Sequence, residues 1–389
     1  MKKIFNIITF TIITALPALA QDLRVGADKI DQLTDIIQNK RVALVINQTS
    51  LLSNKTYLLD TLITKNAKIK KIFAPEHGFR GTADAGESIK DGKDVKTGVS
   101  IVSLYGKNYK PKPEHLTDID LIIFDIQDVG ARFYTYISTM HYVMEACAEN
   151  NKQCIILDRP NPNDQIGGPV LDPKYKSFVG MHPIPVLHGL TIGELATMIN
   201  EEGWLANKSK CDLKIITMDG WNHGQPYSLP VKPSPNLPND QSIKLYPSLC
   251  FFEATGISVG RGTEFPFQVI GAPSPRYGTF TFIPGPREGV KNPMHNGIKC
   301  YGMDLRNSEP GIPIELSFLI SFYKKSRKGA AFFTSPKFMD LLAGTDKLRM
   351  QIIRGESDQD IADSWTIDLD KYKTLRKKYL LYPEDRINY

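Results

Sequence analysis

Five carboxylates sit in contexts that could support chemistry: Glu76 in "FAPEHGFRG", Asp125 and Asp128 in "DIQDVG", and Glu253 and Glu264 in "CFFEATGISVGRGTEFPFQ". Glycosidic cleavage uses a protonated acid for the leaving oxygen, commonly with a second carboxylate about 5 to 9.5 Å away. Glu76 is the best acid candidate. It follows the apolar run "IKKIF" and is hemmed by Phe73, Pro75 and Phe79, surroundings that favour a neutral, proton-donating carboxyl group. The others have plain structural alternatives: Asp125 could hold a loop, and Glu264 could pair with Arg261 across "GRGTE". Arg261, set between glycines and flanked by aromatics, suits two-point contact with a carboxylate or phosphate.

Other chemistries find less support. The seven histidines show no HxxxH or HExxH spacing, and His77 beside Glu76 is the only one that suggests a metal. No GxxxxGK[ST] is present and no GxGxxG follows the first predicted strand, so neither a nucleotide nor any other cofactor is expected. No GxSxG elbow supports a serine nucleophile. The five cysteines are widely spaced with no CxxC, which reads as buried thiols.

These residues need a scaffold. Short apolar runs recur at 41–47, 69–75, 100–106, 120–126 and 153–159, with helical patterns between several of them. That alternation predicts an α/β fold with a Rossmann-like, doubly wound parallel sheet. Ligands of such sheets bind at the carboxyl ends of the strands, where Asn47, Glu76, Tyr105, Asp125 and Asp158 would lie. In "GLTIGELATMINEEGW", Thr191 and Glu194 read as the capping box of a helix. Beyond the proline-rich stretch that begins near Asn161 the pattern becomes mixed. The expected organisation is an α/β domain over 21–165 and a smaller α+β domain over 166–389 that completes a cleft.

Residues 1–20 read as a cleaved secretory signal, with Lys2 and Lys3, an apolar run and Ala18-Leu19-Ala20. Losing the two lysines lowers the formal charge from +6 to +4. That mild charge, with no basic run, makes nucleic acid an unlikely partner. The mature chain is expected to be periplasmic or secreted, with no integral membrane segment; its oligomeric state is not legible.

"APEHGFRG", "DIQDVGARFYTY", "DRPNP", "SPNLP" and "GISVGRGTEFPFQVIGAP" resemble the exo-β-N-acetylmuramidases of the NamZ type, over nearly the whole mature chain from about Val25. The resemblance implies a Rossmann-like domain, a smaller C-terminal domain and a cleft between them. It implies release of terminal N-acetylmuramic acid from the non-reducing ends of peptidoglycan fragments. Glu76 then corresponds to the catalytic acid, and His77, Asp125, Asp128, Arg132 and Tyr134 occupy matching signature positions. The sugar's lactyl carboxylate would be read by Arg261 or Arg132, with Arg80 in reserve and Glu264 beside them. Two other readings stay open: a non-catalytic muropeptide-binding protein, and a hydrolase of an amide or ester bond on the same saccharide.

Overall fold

In the first strand, β1 (Arg41–Ile46), alternate side chains enter different core layers. Val42, Leu44 and Ile46 pack with Leu33 and Ile37 of the helix Ile30–Ile37 and with Leu58 and Leu62 of the helix Leu58–Thr64. Ala43 and Val45 pack with Ile137 and Met140 of the helix Tyr136–Glu149. A strand buried on both faces is apolar at consecutive positions, which is why "VALVI" carries no alternation. The computed structural model describes residues 22–79, 91–106, 108–309 and 313–384. The expected signal (1–20) and Arg80 lie outside the described residues.

The strands that follow are β2 (Lys68–Ala74), β3 (Gly92–Lys93), β4 (Ser100–Ser103), β5 (Leu121–Asp125) and β6 (Gln153–Leu157). A short antiparallel pair, β7 (Ile166–Gly167) and β8 (Leu187–His188), precedes β9 (Asp212–Ile216). The main sheet has seven strands in the order β3-β4-β2-β1-β5-β6-β9, and all neighbours except β3 and β4 are parallel. With β3 set aside, the order is that of a doubly wound sheet whose direction reverses between β1 and β5.

The sheet does not close at residue 165, where the sequence pattern changes. The proline-rich segment is an excursion, after which the helix Ile192–Glu201 and β9 return to the sheet, β9 pairing with β6. That helix begins with the expected capping box: Glu194 Oε2 accepts from the Thr191 N–H at 2.9 Å, and Thr191 Oγ1 accepts from the Glu194 N–H at 3.3 Å.

The second, smaller part carries an antiparallel three-stranded sheet, with β12 (Cys300–Asp304) between β10 (Val269–Ala272) and β11 (Phe280–Phe282). The helix Ser317–Ser326 packs on the turn Pro275–Tyr277 through stacked Phe322 and Tyr277, and the helix Pro336–Ala343 packs on the segment Cys250–Ala254. Among the described residues no helix is long and apolar enough to cross a membrane.

Candidate active site

Glu76 is placed by a tight turn at the end of β2. Backbone pairing holds β2 through Ala74, and the Gly78 N–H then closes the turn on the Pro75 carbonyl at 2.9 Å. His77 adopts φ +65°, a left-handed conformation costly for a residue with a Cβ. The turn sets Glu76 half-buried at the wall of a cavity of about 290 Å³. Glu76 Oε2 accepts a hydrogen bond from Thr135 Oγ1 at 2.7 Å, and its backbone carbonyl accepts one from the Tyr136 hydroxyl at 3.3 Å. Tyr105, just beyond β4, lines the same wall. Burial, then the charge of Glu76, pushes the Tyr105 phenol well above its ordinary range. Burial also raises Tyr134 and Tyr136, so all three phenols remain hydrogen-bond donors at neutral pH.

The opposite wall comes from the stretch around Arg261. Gly260 and Gly262 have φ of +79° and +82°, and a Cβ at either would fall within 2.7 Å of a neighbouring backbone oxygen. Only glycine fits both positions, which explains "GRG". Arg261 Nε donates to Glu253 Oε1 at 2.8 Å, with one terminal nitrogen 2.6 Å from the same oxygen. Burial would lower the guanidinium's pKa, but the Glu253 carboxylate outweighs it and the pKa is raised. The group lies 5.0 Å from the centre of the Phe267 ring, which also lines the cavity. Two of the guanidinium's five N–H donors thus face Glu253.

The structure brings Glu76, His77, Tyr134, Glu253 and Arg261 to one cavity, and places Asp125, Asp128, Arg132 and Glu264 outside its lining. Asp125 is fully buried, and both its oxygens accept from Arg159, at 2.6 and 2.9 Å. Burial raises its carboxyl group, with the guanidinium opposing the shift. This pair, with Ser50 donating to the Asp125 carbonyl and Arg159 to that of Leu51, ties together the carboxyl ends of β1 and β5, the position at which doubly wound sheets commonly hold a ligand, and lies outside the cavity lining. The cavity is displaced toward the ends of β2 and β4.

Asp128 accepts from the Gly130 N–H at 2.7 Å and lies 3.4 Å from His188, outside the cavity lining. Arg132 is fully buried and donates to the carbonyls of Pro169, Ile184 and Leu342. Its guanidinium joins the two parts of the chain and is not presented to a ligand. Glu264 is exposed and lies 3.5 Å from Arg287, while Arg261 pairs with Glu253. The Tyr134 hydroxyl donates to the Pro233 carbonyl at 2.8 Å, and His77 Nε2 lies 3.5 Å from Ser234 Oγ.

Sequence reasoning assigned no role to Thr135, Tyr105 or Phe267. Thr135 sits inside the quoted run "ARFYTY", so the signal was the motif itself; Tyr105 had only its place at a strand end.

A carboxyl group on a strand-end turn, a second carboxylate tied to an arginine, and aromatic walls form a cavity of glycosidase character on an α/β scaffold. The chain belongs to the family of NamZ exo-β-N-acetylmuramidases: the family's N-terminal model matches residues 42–241 and its C-terminal model residues 244–382. It is 39% identical over 368 residues to the peptidoglycan β-N-acetylmuramidase NamZ of Bacillus subtilis (strain 168), covering 89% of this chain and 88% of that protein. Two crystal structures of DUF1343 family proteins from Bacteroides fragilis NCTC 9343 share the fold. One has a TM-score of 0.86 and 43% identity, covering 94% of this chain and 100% of that one. The other has a TM-score of 0.79 and 30% identity, covering 92% and 99%.

Proposed function

We propose that this protein is an exo-acting glycosidase that releases terminal β-linked N-acetylmuramic acid from the non-reducing ends of peptidoglycan fragments, with Glu76 as general acid. The observation that carries this reading is Glu76 itself, held at the cavity wall by Thr135 in a chain of the NamZ family. A general acid must reach the leaving oxygen and be able to hold a proton when it arrives. Glu253 is the other carboxylate among the described cavity residues, and Arg261 holds it in place. The remaining donors of Arg261 supply a partner for the lactyl carboxylate that distinguishes muramic acid from glucosamine. Asp125, bound to Arg159, keeps the strand ends in register and does not act on substrate. The proposed site of action is the periplasm or the exterior, after removal of residues 1–20.

The test is incubation with a muramic acid–glucosamine disaccharide and analysis of the products. Release of both free sugars supports the proposal. Binding without turnover would indicate a muropeptide-binding protein, and loss of an amide or ester group with the disaccharide intact would indicate the other hydrolase.

A further inference from the structure

Three cysteines, two of them close in sequence and the third distant, meet at the edge of the main sheet opposite the cavity. Cys147 lies in the helix Tyr136–Glu149, Cys154 is the second residue of β6, and Cys211 immediately precedes β9. All are buried and free, and their sulfur atoms lie within 4.8 Å of one another. Parallel pairing places Cys154 opposite Leu213, which brings Cys211 alongside it. The Cys211 backbone is clamped from both sides by the Asn200 side chain, with N–H to Oδ1 at 2.9 Å and Nδ2 to carbonyl at 3.1 Å. Cys147 and Cys154 are thus fixed by a helix and a paired strand, and Cys211, just ahead of β9, by its bonds to Asn200. β6 and β9 run from this edge toward the edge that bears Asp125 and Glu76, so the cluster takes no part in the saccharide site.

We propose that Cys147, Cys154 and Cys211 form a three-thiolate site for a soft divalent ion of the zinc, cadmium and mercury class. A metal–sulfur bond of about 2.3 Å in a trigonal arrangement separates the sulfurs by about 4 Å, so the site need contract by less than about 1 Å. Sulfur ligands without an oxygen donor select soft ions and discriminate against calcium and magnesium. Three thiolates around a divalent ion leave one net negative charge. On binding, each sulfur still protonated exchanges its S–H bond for a metal–sulfur bond and releases its proton to solvent, up to three in all.

The experiment is an anaerobic titration of the reduced, metal-free full chain with cadmium, following thiolate-to-metal absorption in the ultraviolet and proton release in weak buffer. One equivalent should produce the band, release protons and raise the melting temperature, and magnesium should do none of these. C211A, altered at the least enclosed of the three sulfurs, should lose the band and keep its hydrolytic activity. The proposal is overturned if the folded, reduced chain gives no band, if C211A binds cadmium as the unaltered chain does, or if the isolated protein shows two thiols consumed in a disulfide. Should C211A fail to fold, the stoichiometry and proton count of the unaltered chain decide.

Discussion

Replacing Arg261 by Gln tests what the cavity recognises. Arg261 directs two donors to Glu253 and rests on Phe267, so the substitution has two consequences. It leaves Glu253 without its cation, a loss indifferent to the sugar's lactyl group. It also removes the charge-assisted bond to that group's carboxylate, a bond of about 1.5–3 kcal/mol, or roughly 10- to 150-fold in kcat/KM. A cycle separates the two: unaltered protein and R261Q, each assayed on a β-muramoside and on the same compound with its lactyl carboxylate converted to a carboxamide. The shared loss cancels, and the coupling energy reports the bond alone. The expected outcome is a coupling of about 1.5–3 kcal/mol, with R261Q nearly indifferent to the amide. A coupling near zero, with equal losses on both substrates, would refute Arg261 as the reader of the carboxylate.

D125N leaves the buried Arg159 charge uncompensated and should destabilise the fold by about 3–5 kcal/mol, read by denaturant melts. Its activity per folded molecule should stay near that of the unaltered protein; a stable but inactive D125N would return Asp125 to the chemistry. T135V removes the hydroxyl that fixes Glu76 and should lower kcat about tenfold while changing KM little, with rescue by T135S. His223 lies between Asp164 and Glu194, each 2.9 Å away; burial opposes its protonation, but the two carboxylates outweigh it and raise the pKa to about 9. A raised folded pKa stabilises fully below the unfolded value of about 6.5 and is lost as pH rises toward the folded one. The melting temperature should therefore fall between about pH 6.5 and 9, and H223Q should flatten that fall.

The parallel sheet was legible because strands buried on both faces leave runs such as "VALVI" and "LIIFD", and because helical patterns alternate with them, one opening on a recognisable capping box at Thr191 and Glu194. The helix Asp240–Leu249 was not, since Pro247 interrupts its pattern. Nor was the return of β9 to the main sheet: a long excursion resembles a domain boundary when only local composition is visible. At the site, residue type and position at a strand end did not reveal which way a side chain serves. Glu76 and Asp125 both follow apolar runs, yet one borders the cavity and the other meets a buried guanidinium supplied by the next strand's end. Arg132 shows the same limit, because its three carbonyl partners come from segments remote in sequence. The glycines around Arg261 did single it out as a binding candidate, but its partner Glu253 is eight residues away and could not be told from Glu264.

The central claim is that Glu76 delivers the proton to the departing sugar. It is tested most directly by comparing the unaltered protein and E76Q on two substrates: the muramic acid–glucosamine disaccharide, and a β-muramoside of an acidic phenol whose departure needs no proton. On the disaccharide, E76Q should lose about 10²- to 10⁴-fold in kcat. On the aryl muramoside the first, bond-breaking step should be largely spared. Undiminished hydrolysis of the disaccharide by E76Q would contradict the account.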